Sequence, residues 1–262
     1  MGNLEWRVVM NREIDMGNIP KIVHYCWFGG KEKPELVKRC IDTWRGKLPD
    51  YKIIEWNEKN FDINSSDFSR QAYKNKKWAF VADYCRLNVL YNNGGIYLDT
   101  DMEVIKSLDI FLNNVAFAGI EFANGNIPEI NAAIWGCKKG DKFIEKLISY
   151  YDSLDFNEYA EDLFKLAIPK VITTLAKEDG YIGSKFPEKL SNGTVIYSKE
   201  YFYPKNKSWE IPTVTENTYT IHHYEGSWKS PILIYRTKLK HILINIFGYE
   251  RVNSLVRKFK KK

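Results

Sequence analysis

Apolar residues recur along this chain in two rhythms, and each change of rhythm marks an element. Residues 19–27 form a nearly unbroken apolar run that includes Ile22, Val23, Tyr25, Cys26 and Trp27. They predict a buried strand, which Phe28-Gly29-Gly30 breaks. Leu36, Val37, Cys40, Ile41 and Trp44 then return at helical spacing and predict a helix over 34–44. Pro49-Asp50 marks a turn, and 51–56 reads as a second strand. Strand, helix, strand in this order favours a parallel sheet of the nucleotide-binding kind.

The clearest helix is 77–93, where Phe80, Val81, Tyr84, Leu87, Val89 and Leu90 give a broad apolar face. Gly94-Gly95 stops it, because glycine accepts the left-handed C-terminal cap. Residues 96–98 form a short strand ending at Asp99, and 115–121 form another. Asn124-Gly125-Asn126 predicts an exposed turn. Residues 141–177 read as helical in two or more pieces, and 179–203 as turns with short strands. Residues 219–222 read as a final core strand, and 232–262 as a basic, apolar-striped helical tail. The expected organisation is an extension over 1–18, one domain over 19–231 and the tail over 232–262.

Composition narrows the picture. At 262 residues and 44% hydrophobic, the chain can bury the core of a single α/β domain. The net charge of +6 is uneven: from Arg236 onward nine Lys and Arg face one Glu, a local +8 that leaves the rest at −2. The basic character belongs to the tail, which argues against a nucleic-acid-binding body. Cys26, Cys40, Cys85 and Cys137 form no CxxC pair, so reduced thiols in a cytoplasmic protein are expected rather than zinc. Residues 1–18 lack the apolar stretch of a signal peptide, and Met16 is an alternative start. No run approaches the ~20 apolar residues of a membrane span. In the tail, Leu239, Ile242, Leu243, Ile246 and Phe247 are ringed by Lys and Arg. That pattern fits a helix on the anionic inner face of the cell membrane, and equally a helix packed on the body.

The candidate chemistry centres on Asp99-Thr100-Asp101 at a strand end. Two carboxylates at i and i+2 can hold Mn2+ or Mg2+ against a diphosphate, the leaving group of a nucleotide-sugar. Asp83 and Arg86, three apart on the preceding helix, share one face. Because the rest of that helix is largely apolar, the pair points into a polar cleft. Two of the four histidines, His222 and His223, fall together near the end, and a neutral imidazole is a competent Mn2+ ligand.

Ala82-Asp83-Tyr84-Cys85-Arg86 followed by Asn93-Gly94-Gly95-Ile96-Tyr97-Leu98-Asp99-Thr100-Asp101 resembles the sugar-binding DXD region of glycosyltransferase family thirty-two. That group includes capsular-polysaccharide glycosyltransferases and a yeast initiating mannosyltransferase, and the clostridial glucosylating toxins share a similar pattern. The resemblance covers residues 19–139 and returns at 222–228. It implies a GT-A fold: a Rossmann-like mixed sheet flanked by helices, with helical additions after Asp141. It also implies roles. Trp27 would stack on the donor base, and Tyr97 would line the nucleotide pocket. Asp83 and Arg86 would meet the donor sugar and the diphosphate side. Asp99 would reach the ribose and the metal's water shell, and Asp101 would bind the metal. His222 or His223 would be a third ligand. Ser227 and Trp228 would close over the diphosphate, and Asn131 would lie near the reacting sugar.

The function expected is transfer of a sugar, with retention, from a nucleotide-sugar, most simply a uridine diphosphate sugar. The acceptor would be a glycan or lipid-linked saccharide in surface polysaccharide synthesis. A non-catalytic nucleotide-sugar or carbohydrate binder is the alternative. A nucleotidyltransferase would need a glycine-rich phosphate loop, for which Phe28-Gly29-Gly30-Lys31 is too short.

Overall fold

A computed structural model describes residues 17–121, 127–159, 161–208 and 210–225. The turn expected at 124–126, the tail and nearly all of the N-terminal extension lie outside the described residues. In chain order the elements are β1 (Ile22–Cys26), α1 (Glu35–Lys47), β2 (Lys52–Trp56), α2 (Asp67–Lys74), α3 (Trp78–Asn93), β3 (Gly95–Leu98) and β4 (Met102–Val104). Then follow β5 (Ala116–Glu121), β6 (Glu129–Cys137), α4 (Lys142–Asp152), α5 (Ile168–Glu178), β7 (Glu188–Lys189), β8 (Thr194–Tyr197), α6 (Lys199–Phe202) and β9 (Thr220–His222).

Seven strands make one mixed sheet in the order β2-β1-β3-β6-β5-β8-β7. β1 runs parallel to β2 and β3, as the strand–helix–strand reading requires. β6 enters antiparallel between β3 and β5. Side chains alternate between two cores. Val23, Tyr25, Ile96 and Leu98 pack toward α1, while Tyr97 packs toward α3 and α4. Two features go beyond the expected pattern. Residues 220–222 do not join the main sheet; they pair with β4 in a separate two-stranded sheet. Residues 129–137, which show no strand rhythm, form the central strand β6. A bulge accounts for this: Ala118 pairs with Trp135, but Gly119 pairs with Asn131. Residues 132–134 are thereby released from β5, and the alternation changes parity. Ile130 and Ala132 face one core, Ala133 and Ile134 the other, and Trp135 the first again.

The entry to β3 is tightly held. His24 Nε2 donates to the Gly94 carbonyl at 2.9 Å, and Trp56 Nε1 donates to His24 Nδ1 at 3.0 Å. The indole is a donor only, so Nδ1 accepts and the ring is neutral. Burial pushes its pKa down to about 4. Gly94 and Gly95 both take positive φ. A Cβ on Gly95 would meet the Ile22 carbonyl oxygen at 2.7 Å and His24 Nε2 at 3.1 Å. Gly95→Ala should therefore cost about 3 kcal/mol or more, from strain plus the clash. Gly140 has φ +73 but open space around its Cβ position. Gly140→Ala should cost only about 1–2 kcal/mol, the left-handed backbone alone. Urea midpoints compare the two; equal losses would mean that the packing at Gly95 does not matter.

Candidate functional site

Arg86 stands at the centre of the site. It lies on the buried face of α3, with a side chain only 7% exposed. Its Nη2 reaches Asp83 at 2.9 Å and Asp99 at 3.1 Å, and its Nη1 donates to the Ala132 carbonyl at 2.6 Å. The guanidinium also lies 4.4 Å from the centroid of the Tyr97 ring. Tyr97 thus sits beneath Arg86, buried in the sheet, rather than facing an open pocket. One cation serves two carboxylates, and burial pushes the Asp83 carboxyl up to about 7 despite Arg86, with Asp99 adding repulsion. The surrounding carboxylates keep the buried guanidinium charged.

The end of β3 is pinned from β6, where the Asp99 N–H donates to the Ala133 carbonyl at 2.8 Å. Asp101 is enclosed by the segment that follows β9. His222 Nε2 lies 3.2 Å from Asp101 Oδ1, the Glu225 N–H donates to Oδ2 at 2.8 Å, and the His223 N–H donates to the Asp101 carbonyl at 3.0 Å. Burial alone would raise the Asp101 carboxyl, but His222 and the Glu225 N–H outweigh it and hold it down at about 2. His222 is moved the other way. Burial would lower its pKa, but Asp101, Asp99 and Glu121 raise it.

Asp99, Asp101 and His222 offer one ligand atom each, all within 4.8 Å of one another. Two carboxylate oxygens and an imidazole nitrogen form a donor set suited to Mn2+ or Mg2+, with the nitrogen favouring the former. His222 Nδ1 and Arg86 Nε are buried without hydrogen-bond partners among the described residues. The donor set of Asp99, Asp101 and His222 fits a divalent cation. Of the two histidines left open by the sequence, His222 stands in this group. His223 turns to Glu103, with Nε2 to Oε2 at 2.8 Å, and its Nδ1 lies 3.4 Å from Lys205 Nζ.

Trp27 follows β1 and is half-buried. Its Nε1 donates to the Lys31 carbonyl at 2.6 Å, and Lys33 Nζ lies 5.6 Å from its ring centroid. Asn131 is brought close through the bulge: its Oδ1 accepts from the Ala133 N–H at 2.7 Å, and its Nδ2 donates to Glu121. Ser227 and Trp228 lie outside the described residues. The structure adds residues to which the sequence assigned no role. Tyr203 accepts from the Ile134 N–H and donates to the Asn131 carbonyl, with its ring 5.9 Å from that of His222. Tyr224 packs at a tilt against His222, 4.1 Å between centroids, in a left-handed backbone conformation at φ 56. Glu121 faces both Asn131 and Tyr224.

Residues 34–118 match the family described as "Glycosyltransferase sugar-binding region containing DXD motif". The matched stretch, about a third of the chain, is the one on which the resemblance to glycosyltransferase family thirty-two rests. Asp83, Arg86, Tyr97, Asp99 and Asp101 fall inside the DXD region; Trp27, Asn131 and His222 fall outside it. Inositol phosphoceramide mannosyltransferase 3 of Schizosaccharomyces pombe is 28% identical over 159 residues, 57% of this chain and 42% of that protein. Subversion of eukaryotic traffic protein A of Legionella pneumophila is 25% identical over 195 residues, 62% of this chain and 30% of that protein. The initiation-specific alpha-1,6-mannosyltransferase of Candida albicans is 30% identical over 105 residues, 36% of this chain and 27% of that protein. The chain thus spans less than half the length of these curated relatives. The solved PaToxG glycosyltransferase aligns with a TM-score of 0.50 at 21% identity, over 62% of this chain and 70% of that one. The fold is of the GT-A type, a mixed sheet with flanking helices.

A cation bound here would have to displace a proton from His222. The raised pKa of His222 means that its proton is held to higher pH than a free imidazole's, whereas Asp101 stays ionised. Mn2+ affinity should therefore fall as pH drops, starting at a higher pH than for a free imidazole, by about tenfold per unit once His222 is protonated. Calorimetry with the metal alone between pH 8.5 and 5.5 measures this, and His222→Ala should bind more weakly with a flatter profile. A pH-independent affinity in the intact protein would remove His222 from the ligand set.

Proposed function

We propose that this chain transfers a hexose from a nucleotide-sugar, with uridine diphosphate as carrier, to a hydroxyl of a glycan or lipid-linked saccharide. The observation that carries the reading is the Asp99–Asp101–His222 group at the end of β3, beside the buried Arg86, within and against the DXD region. A divalent cation there would neutralise charge on the departing diphosphate. The chain's own residues would do the rest. Trp27 would hold the base at the end of β1. Arg86, fixed by three partners, would face the diphosphate without needing to reorganise. Asp83 would accept from a sugar hydroxyl.

In the proposed reaction the bond from the anomeric carbon to the phosphate oxygen breaks, and a bond to the acceptor oxygen forms on the same face. The acceptor's proton passes to the departing phosphate oxygen. Retention follows, and proton magnetic resonance of fresh product would read it as an α product from an α donor. Two relatives are named as mannosyltransferases, so mannose belongs with glucose, galactose and N-acetylglucosamine among the donors to screen. A lipid-linked acceptor, and the tail as a membrane anchor at the cytoplasmic face in surface polysaccharide synthesis, complete the proposal. No helix among the described residues is long and apolar enough to cross a membrane. The alternative, a binder without turnover, shares the pocket but not the hydrolysis.

Asp101→Asn should abolish Mn2+-dependent nucleotide-sugar turnover while circular dichroism stays unchanged. A folded variant with near-normal turnover would refute the metal role. Trp27→Ala should raise the Kd for uridine diphosphate by roughly 5–150-fold, the 1–3 kcal/mol of an aromatic–base stack, with little change in kcat. Unchanged affinity would make Trp27 a core residue.

A further inference from the structure

A half-buried carboxylate outside the DXD region stands on the far side of the site from Trp27. Glu121 ends β5, opposite Glu129 of β6, and accepts from the Asn131 amide. The sheet order places it. A nucleotide-sugar is a linear molecule: base, diphosphate, sugar. In the reading proposed above, on which this inference rests, the base lies at the end of β1 and the diphosphate at the end of β3. Continuing in that direction leads to the start of β6 and the end of β5. Neighbouring strands are about 4.8 Å apart, so β5 lies about 10 Å beyond β3, enough for one sugar ring.

The groups found there have the chemistry for such a ring. A carboxylate accepts from hydroxyls, an amide donates and accepts, and an aromatic ring covers apolar C–H faces. Glu121 supplies the first and Asn131 the second. Tyr224, whose hydroxyl lies against Glu121 and whose ring packs at a tilt against His222, supplies the third. The network is also rigid. Asn131 is held by the Ala133 N–H, and its carbonyl by the Tyr203 hydroxyl. Tyr224 donates to the Lys205 carbonyl at 3.1 Å. We propose that Glu121, with the Asn131 amide it anchors, binds hydroxyls of the transferred sugar and so helps select the donor.

The test uses Glu121→Ala and Glu121→Gln in the full chain with Mn2+. Affinity is measured for uridine diphosphate and for whichever of UDP-glucose, UDP-galactose, UDP-N-acetylglucosamine and GDP-mannose the intact protein hydrolyses fastest, with the matching nucleoside diphosphate as reference. Both variants should bind the bare nucleoside diphosphate within about twofold of the intact protein, since that end is untouched. Glu121→Ala should lose roughly tenfold or more of kcat/KM for donor hydrolysis, the scale of a lost hydrogen bond to a charged group. Glu121→Gln, whose amide oxygen can still accept from Asn131, should recover part of that loss and should unfold at the same temperature as the intact protein. Unchanged hydrolysis in a folded Glu121→Ala would overturn the proposal. So would a parallel loss of affinity for the bare nucleoside diphosphate, which would make Glu121 a support for the metal end. If Asp101→Asn fails to weaken nucleoside diphosphate binding, the underlying reading fails instead, and the two failures are told apart.

Discussion

A guanidinium taken out of water must be offset by opposite charge, and that requirement at Arg86 organises the site. Its partners come from three elements: Asp83 from its own helix, Asp99 from the end of β3, and the Ala132 carbonyl from β6. Tyr97 closes it from below. Removing one partner of such a buried pair typically costs about 3–5 kcal/mol, because the remaining charge is stranded. The same contacts fix where Asp99 points and how β6 passes it. Stability and site geometry therefore rest on the same atoms, and the bulge in β6 is what frees Ala132 and Ala133 to face them.

A second constraint is charge of the opposite sign. Asp83, Asp99, Asp101 and Glu121 converge on a region where Arg86 and His222 face them, with Lys205 beside Asp101. The shifts at Asp83 and His222 differ in cause: burial drives the Asp83 carboxyl toward neutrality, with Asp99 adding repulsion, while the carboxylates around His222, Asp101 foremost, outweigh its burial and draw it toward protonation. A divalent cation bound there would relieve the repulsion and displace the proton from His222. Tyr224, held in a left-handed conformation, is the local strain that accompanies this arrangement.

The sheet supplies the rigidity. Apolar side chains fill both of its faces, with α1 and the small β4–β9 sheet on one side and α2 to α5 on the other. Trp44 Nε1 donates to the Met102 carbonyl at 2.6 Å, tying α1 to the strand that follows Asp101. Movement of the DXD turn is thereby resisted from the core side. The segment after β9 approaches from the other side through backbone N–H groups, which hold Asp101 whatever side chains that segment carries.

The chain by itself determined the elements whose periodicity is local. The helix over 78–93, the glycine stop and the short strand ending at Asp99 could be read directly, because each depends on residues within a few turns of one another. So could the grouping of Asp83 with Arg86, three apart on one face. β6 could not, since its bulge breaks the alternation and its small residues carry little strand preference. α2 was equally hidden, being short and largely polar with a capping serine at Ser66. The meeting of Asp101 with His222, the separation of His223 toward Glu103, and the arrival of Glu121 beside Asn131 were decided by tertiary structure alone. Asp101 and His222 are more than a hundred residues apart. Nothing in their local sequence specifies a distance, and only the pairing of β4 with β9 brings them together.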